Sequence, residues 1–178
     1  MTREQLEHAI RAACDIIGDD EVYVFGSQAI LGTYPDAPAV LLRSIEVDIS
    51  PRKRVERAEA INSIGEESMF HRTFGFYVHG IPITESATLP RGWQQRTICI
   101  SNANTNGRKG HCLDGHDLAA SKLVAHRDKD RDFVRELLGE RMISSRKLVS
   151  RIRLLPVEAK QRERLVQWVH VTVRDLAE

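Results

Sequence analysis

Between Ser44 and Ser50 the chain reads Ser-Ile-Glu-Val-Asp-Ile-Ser, a strict alternation of polar and apolar side chains. Successive residues of a strand point to opposite faces, so Ile45, Val47 and Ile49 share one face while Glu46 and Asp48 share the other. The apolar face predicts a core behind the strand. The carboxylate face must open on a cleft or on solvent. Two carboxylates ~4–6 Å apart repel by a few kcal/mol at an effective dielectric of about 20, unless a cation or a proton lies between them. This segment demands a sheet with one covered face, and it poses the question of what neutralises the other.

The flanking sequence supplies the rest of such a sheet. Val22–Phe25 is a second apolar run and predicts a buried strand; Gly26-Ser27 then turns the chain into a short helix ending near Gly32. Upstream, Thr2 and Gln5 have capping-box spacing, and Leu6, Ile10, Ala13 and Ile17 recur at helical intervals up to Gly18-Asp19-Asp20. Downstream, the spacing predicts a long helix over about 52–64, with Val55, Ala58 and Ile61 inward. "MFHRTFG" reads as a loop, "FGFYVHGIPIT" and "RTICIS" as strands, "LPRGWQQ" as a connection and "NANTNGRKG" as a hairpin tip. From Asp114, with Asp117 three residues on, only helical periodicity remains: about 116–126, 129–138, 145–154 and 156–176, with Pro156 in the first turn of the last. The fold class expected is α/β (α+β). A mixed sheet flanked by helices occupies residues 1–113, and a helical part, 114–178, packs on it as one unit.

Length and composition agree with a globular chain. The 178 residues can bury a real core, and 42% apolar with 29% charged residues is ordinary for a soluble protein. A net charge of +1 announces no nucleic-acid partner, but charge is locally concentrated: Arg141 to Arg164 carries eight Lys/Arg against two Glu, and Arg52, Lys53, Arg54 and Arg57 form another basic run. A solvated helix face and a phosphate-binding surface both account for such runs. Cys14, Cys99 and Cys112 are odd in number and make no CxxC pair, which argues against a disulfide framework or a zinc site. With no membrane-length apolar run and no signal-like N-terminus, the expectation is a cytoplasmic protein that makes no membrane contact.

The candidate chemistry begins with the two acids. Few protein oxygens on an open face suit Mg²⁺, which keeps water ligands and binds substrate phosphates. Gly26 permits close backbone approach, and Ser27 stands where a helix N-terminus would favour phosphate. Ser44, two residues before Glu46, would share its face and meet phosphate or metal-bound water. In "DLAASKLVAHRDKDRDF", Lys122 lies in a helix of apolar and small residues, where it would either reach a phosphate or snorkel to water. Asp130 would hold Lys122 or cap the next helix, with Asp132 as its competitor for the role. His71 could bind nucleotide, though packing is the simpler role.

Gly-Ser at a helix start followed by an acidic-x-acidic strand resembles the DNA polymerase β-like nucleotidyltransferase superfamily. "GSQAILGTYPDAPAVLLRSIEVDI", "SIGEESMFHRTFGFYVHG", "LPRGW" and "CLDGHDLAASKLVAHRDKDRDFV" together look like a bacterial group similar to the MenT/AbiEii-like toxins of toxin–antitoxin loci. The resemblance covers about Tyr23 to Leu138. Two features depart from the superfamily pattern: the first acid is Glu46 instead of Asp, and eighteen residues separate it from Ser27. The resemblance implies a polymerase β-type sheet and Mg²⁺ on Glu46 and Asp48. It implies nucleotide contacts from Gly26, Ser27, Ser44 and Lys122, and a catalytic set of Glu46, Asp48, Lys122 and Asp130. The activity implied is transfer of NMP from an NTP to RNA, at the 3′ end of tRNA, by a toxin with a cognate antitoxin. A protein or small-molecule acceptor, or a non-catalytic nucleotide-binding module, are the alternatives.

Overall fold

The computed structural model describes residues 1–177. Its first helix, α1 (Arg3–Ile17), is fixed by its ends. Thr2 Oγ1 accepts the Gln5 N–H at 3.2 Å and the Gln5 side chain accepts the Thr2 N–H at 2.8 Å, the reciprocal capping box expected from the sequence. Gly18, at φ +63°, supplies the left-handed residue that ends the helix. Leu6, Ile10, Ala13 and Ile17 are fully buried, and each of the larger three contributes about 1.5–3 kcal/mol of hydrophobic stabilisation.

Five strands follow: β1 (Glu21–Phe25), β2 (Glu46–Pro51), β3 (Tyr77–Gly80), β4 (Ile98–Ile100) and β5 (Lys109–Cys112). They form one mixed sheet in the order β3-β2-β1-β5-β4. β2 is antiparallel to β1 and parallel to β3; β5 is parallel to β1 and antiparallel to β4. Val22, Val24, Val47, Ile49, Val78 and Cys112 are fully buried on one face, against which α1 packs. The alternation read from Ser44–Ser50 thus produces its covered face at Val47 and Ile49 and leaves the Glu46/Asp48 face half open, but Ile45, just ahead of the strand, is 46% exposed and does not join the core.

Several elements differ from the sequence expectation. The segment after β2 is not an α-helix from Arg52 but a 3₁₀ helix, Val55–Ile64. Its two buried residues, Ala58 and Ile61, are three apart, the period of that tighter helix, while Val55 is 42% exposed. "MFHRTF" is helical: Ser68 caps α2 (Met69–Phe74) by accepting the His71 N–H, and Gly75 closes it. The strand at "FYVHGIPIT" stops at Gly80 because Pro82 has no N–H to donate; a single helical turn, α3 (Ile83–Ser86), follows, with the Ile83 N–H bound to Ser50 Oγ at 3.1 Å.

After Asp114 only helices occur among the described residues: α4 (Gly115–Ala125), α5 (Asp128–Gly139), α6 (Ser145–Ile152) and α7 (Ala159–Asp175). Pro156 is not in the first turn of α7; it lies in the connection, and the helix begins after the extended residue Glu158. The chain divides into two compact units. The sheet unit is Met1–Ser86 with Arg96–Asp114; the helical unit is Ala87–Gln95 with Gly115–Glu178. The boundary near Asp114 is where periodicity changes, but the short segment Ala87–Gln95 belongs with the helices, where Arg91 N–H bonds the Leu154 carbonyl at 3.0 Å. Among the described residues no helix is long and apolar enough to cross a membrane. Cys14 and Cys112 are buried and Cys99 is exposed, all as free thiols.

Candidate functional site

The open face of the sheet is organised by strand register. Antiparallel pairing sets Phe25 opposite Asp48, and parallel pairing sets Asp48 opposite His79 and Glu46 opposite Tyr77. Glu46, Asp48, Tyr77 and His79 therefore stand on one face, all partly exposed. The His79 Nδ1 lies 3.2 Å from an Asp48 carboxylate oxygen and 3.5 Å from one of Glu46. One ligand atom from each of the three falls within 4.8 Å of the others.

Gly26 follows Phe25 directly, so the same register brings it beneath Asp48. A Cβ built on Gly26 would sit 2.0 Å from Asp48 Oδ2 and 3.0 Å from its Cγ. The backbone there has φ +67° and ψ −172°, a region that only glycine occupies at low cost. The requirement at Gly26 is thus double: a glycine conformation, and an empty space for the carboxylate.

Ser27 opens a six-residue 3₁₀ stretch, Ser27–Gly32, not an α-helix. So short a stretch carries little of the macrodipole that a helix N-terminus would offer a phosphate, and Ser27 keeps only its hydroxyl and its place beside Gly26. Gln28, fully buried, donates from Nε2 to the Ser44 carbonyl at 3.1 Å and ties this turn to the approach of β2. Ser44 lies outside the strand. Its hydroxyl accepts the Glu46 N–H and donates to the Glu46 carbonyl, each at 3.2 Å, so it clasps the strand's first residue through the backbone. Tyr77 hydrogen-bonds Glu46; burial and the Glu46, Glu66 and Asp48 carboxylates push its phenol above the ordinary value. His71 accepts the Glu67 N–H on Nδ1 and tilts its ring against Tyr77 at 4.9 Å, the packing role.

The second constellation lies in the helical unit. Asp130, in the first turn of α5, is 1% exposed and has a cation on each oxygen: Lys122 Nζ from α4 at 2.9 Å and Arg127 Nε at 2.5 Å. The Lys122 ammonium also sits 4.7 Å from the centre of the Phe133 ring. Burial raises the Asp130 pKa, but the hydrogen bonds and charges of Arg127 and Lys122 outweigh it and hold the carboxyl below its ordinary value. Asp132 is exposed, so the partner of Lys122 is Asp130.

The basic run after β2 is largely committed to structure. Arg52 pairs with Glu21 and lies over the Tyr23 ring, Lys53 is 3.8 Å from Asp19, and Arg57 donates to the Ile17 carbonyl at the end of α1. In the helical unit Arg151 pairs at 3.2 Å with the fully buried Asp117, whereas Arg146, Lys147, Arg153, Lys160 and Arg164 are exposed.

Of the residues expected from sequence, Gly26, Glu46 and Asp48 converge, with Ser27 next in the chain; Ser44 supports the strand; Lys122 and Asp130 pair. His79 and Tyr77 were missed. Their signal was the alternation in "FYVHG", which places both on one face, but only pairing with β2 identifies that face. The donor set fits a divalent cation: two carboxylates and an imidazole converge on one open point. Comparison of the chain with protein-family models, with curated proteins and with solved structures finds no match.

Proposed function

We propose that the chain is a metal-dependent nucleotidyltransferase that transfers NMP from an NTP to RNA, at the 3′ end of tRNA, and that it acts in the cytoplasm as the toxin of a toxin–antitoxin pair. The observation that carries the catalytic part is the Asp48 carboxylate seated over the bare α-carbon of Gly26, with Glu46 beside it on the open sheet face. A structural strand gains nothing from holding two carboxylates together at the cost of a glycine-only backbone. A cation-binding strand does.

A bound divalent cation, Mg²⁺ in the resemblance, would offset charge on the NTP phosphates and on the departing pyrophosphate. Glu46 and Asp48 would hold it, and Ser44 and Tyr77 fix Glu46 through its backbone and its side chain. Ser27 would donate its hydroxyl to a phosphate oxygen. A phosphate role for Lys122 rests on the resemblance alone; within the helical unit Asp130 and Arg127 fix its orientation. The exposed cations of the helical unit are the candidates for the RNA backbone. RNA as acceptor and an antitoxin as partner rest on the resemblance. Incubation with tRNA and α-labelled NTPs, beside Asp48→Ala, tests the proposal: label must enter tRNA and must depend on Asp48.

A further inference from the structure

We propose that His79 is a ligand of the cation held by Glu46 and Asp48, and that its imidazole makes the site select a first-row transition cation over Mg²⁺. The inference rests on the metal-dependent reading above and deepens it.

β3 runs parallel to β2 with His79 opposite Asp48, so the imidazole is delivered to the carboxylate face by the sheet itself. Its Nδ1 faces both acids, at 3.2 and 3.5 Å. Donors in neighbouring positions around an octahedral cation with bonds of about 2.1 Å lie ~3 Å apart. The imidazole thus stands from each acid at about the spacing of neighbouring donors, and one ligand atom from each of the three partly exposed side chains lies within 4.8 Å of the others. Oxygen-only sites suit Mg²⁺, whereas an imidazole nitrogen among the donors shifts preference toward transition cations. The competing role for His79 is a positive charge that neutralises the two acids. The two roles differ in sign. Removing a ligand weakens metal binding; removing a competing charge strengthens it.

The test uses Mn²⁺ alone as the probe on the full chain, read by electron paramagnetic resonance, with Mg²⁺ titrated in competition. Wild-type protein is expected to show nitrogen modulation from a coordinated imidazole, changing to the ¹⁵N pattern in protein grown with ¹⁵N-histidine. His79→Ala should lose the modulation, and its Mn²⁺ affinity should fall by roughly 10–100-fold, while Mg²⁺ affinity changes less. His79→Asn, of similar size, guards against a folding defect, and the wild-type spectrum decides without any variant. Mn²⁺ bound in an Asp48-dependent way but without nitrogen modulation would overturn the role of His79 and leave the nucleotidyltransferase reading standing. Tighter Mn²⁺ binding in His79→Ala would do the same and establish the neutralising role. No Mn²⁺ binding to wild-type protein would overturn both.

Discussion

The Asp48 carboxylate rests on the α-carbon of Gly26, so close that one added methyl group would lie 2.0 Å from Oδ2. Gly26→Ala therefore strikes the site in two ways. The positive φ costs about 1–3 kcal/mol of stability for a residue with a Cβ, and the carboxylate must swing off its position. The expected result is a protein that still folds, with a lowered melting temperature, and that binds divalent cations as poorly as Asp48→Ala. Calorimetric metal titration of the two variants checks this. Normal binding by Gly26→Ala would mean that the seat of Asp48 is incidental.

Lys122 and Asp130 give separable predictions for stability and activity. Asp130→Asn leaves an ammonium without its buried partner and should cost about 2–4 kcal/mol, toward the lower end because a lysine stem can carry its charge to water. Lys122→Met leaves Asp130 with Arg127 and should cost less. Denaturant unfolding of the two single variants and the double variant should give a coupling energy of about 1 kcal/mol or more. If Lys122 serves the triphosphate, Lys122→Met should lower nucleotidyl transfer by roughly 100-fold or more, out of proportion to its stability cost. An activity loss that merely tracks stability would assign the pair a structural role.

Much of this site is legible in the chain because local periodicity determines it. Glu46 and Asp48 share a face by the two-residue repeat of a strand, and Gly26-Ser27 is a turn wherever the strand before it ends. Lys122 and Asp130 are eight residues apart, close enough for a helix–turn–helix to join them. His79 is 31 residues from Asp48, and nothing local says that β3 pairs with β2 in parallel, in a register that aligns these two positions. The 3₁₀ form of Val55–Ile64 was hidden for a different reason. A three-residue spacing of buried positions fits either helix until tertiary packing decides.

Acid should destabilise the sheet unit through Glu21. Burial would raise this carboxyl, but the Arg52 hydrogen bond and charge, with His111 and Lys109, bring it down from 4.5 to about 2. A depressed carboxylate contributes its full stabilisation above its unfolded value and loses it as pH falls through the folded one. The contribution is thus complete above pH 4.5 and gone near pH 2. Glu21→Gln should be less stable than wild type at pH 7, and the gap should narrow between pH 4.5 and 2. Urea unfolding across that range measures it; a gap independent of pH would remove Glu21 from the account.

The exposed cations of the helical unit carry a prediction about RNA. Reversing charge at Arg146, Lys147, Arg153 or Arg164 should weaken tRNA binding and reduce its salt dependence by about one phosphate contact per residue that touches the backbone. NTP binding should not change. Reversal at Arg52 should act on stability instead, because that side chain is paired with Glu21. Unaltered salt dependence in the helical-unit variants would move the RNA surface elsewhere.

The most direct measurement is nucleotide labelling. Purified protein is incubated with a divalent cation, total tRNA and each α-labelled NTP in turn, beside Asp48→Ala. Wild-type protein is expected to place label on the tRNA 3′ end, and the variant none. Label on protein instead would change the acceptor and keep the chemistry. No label on any acceptor, with Mg²⁺ or Mn²⁺, would contradict the claim that Glu46 and Asp48 form a nucleotidyl-transfer centre.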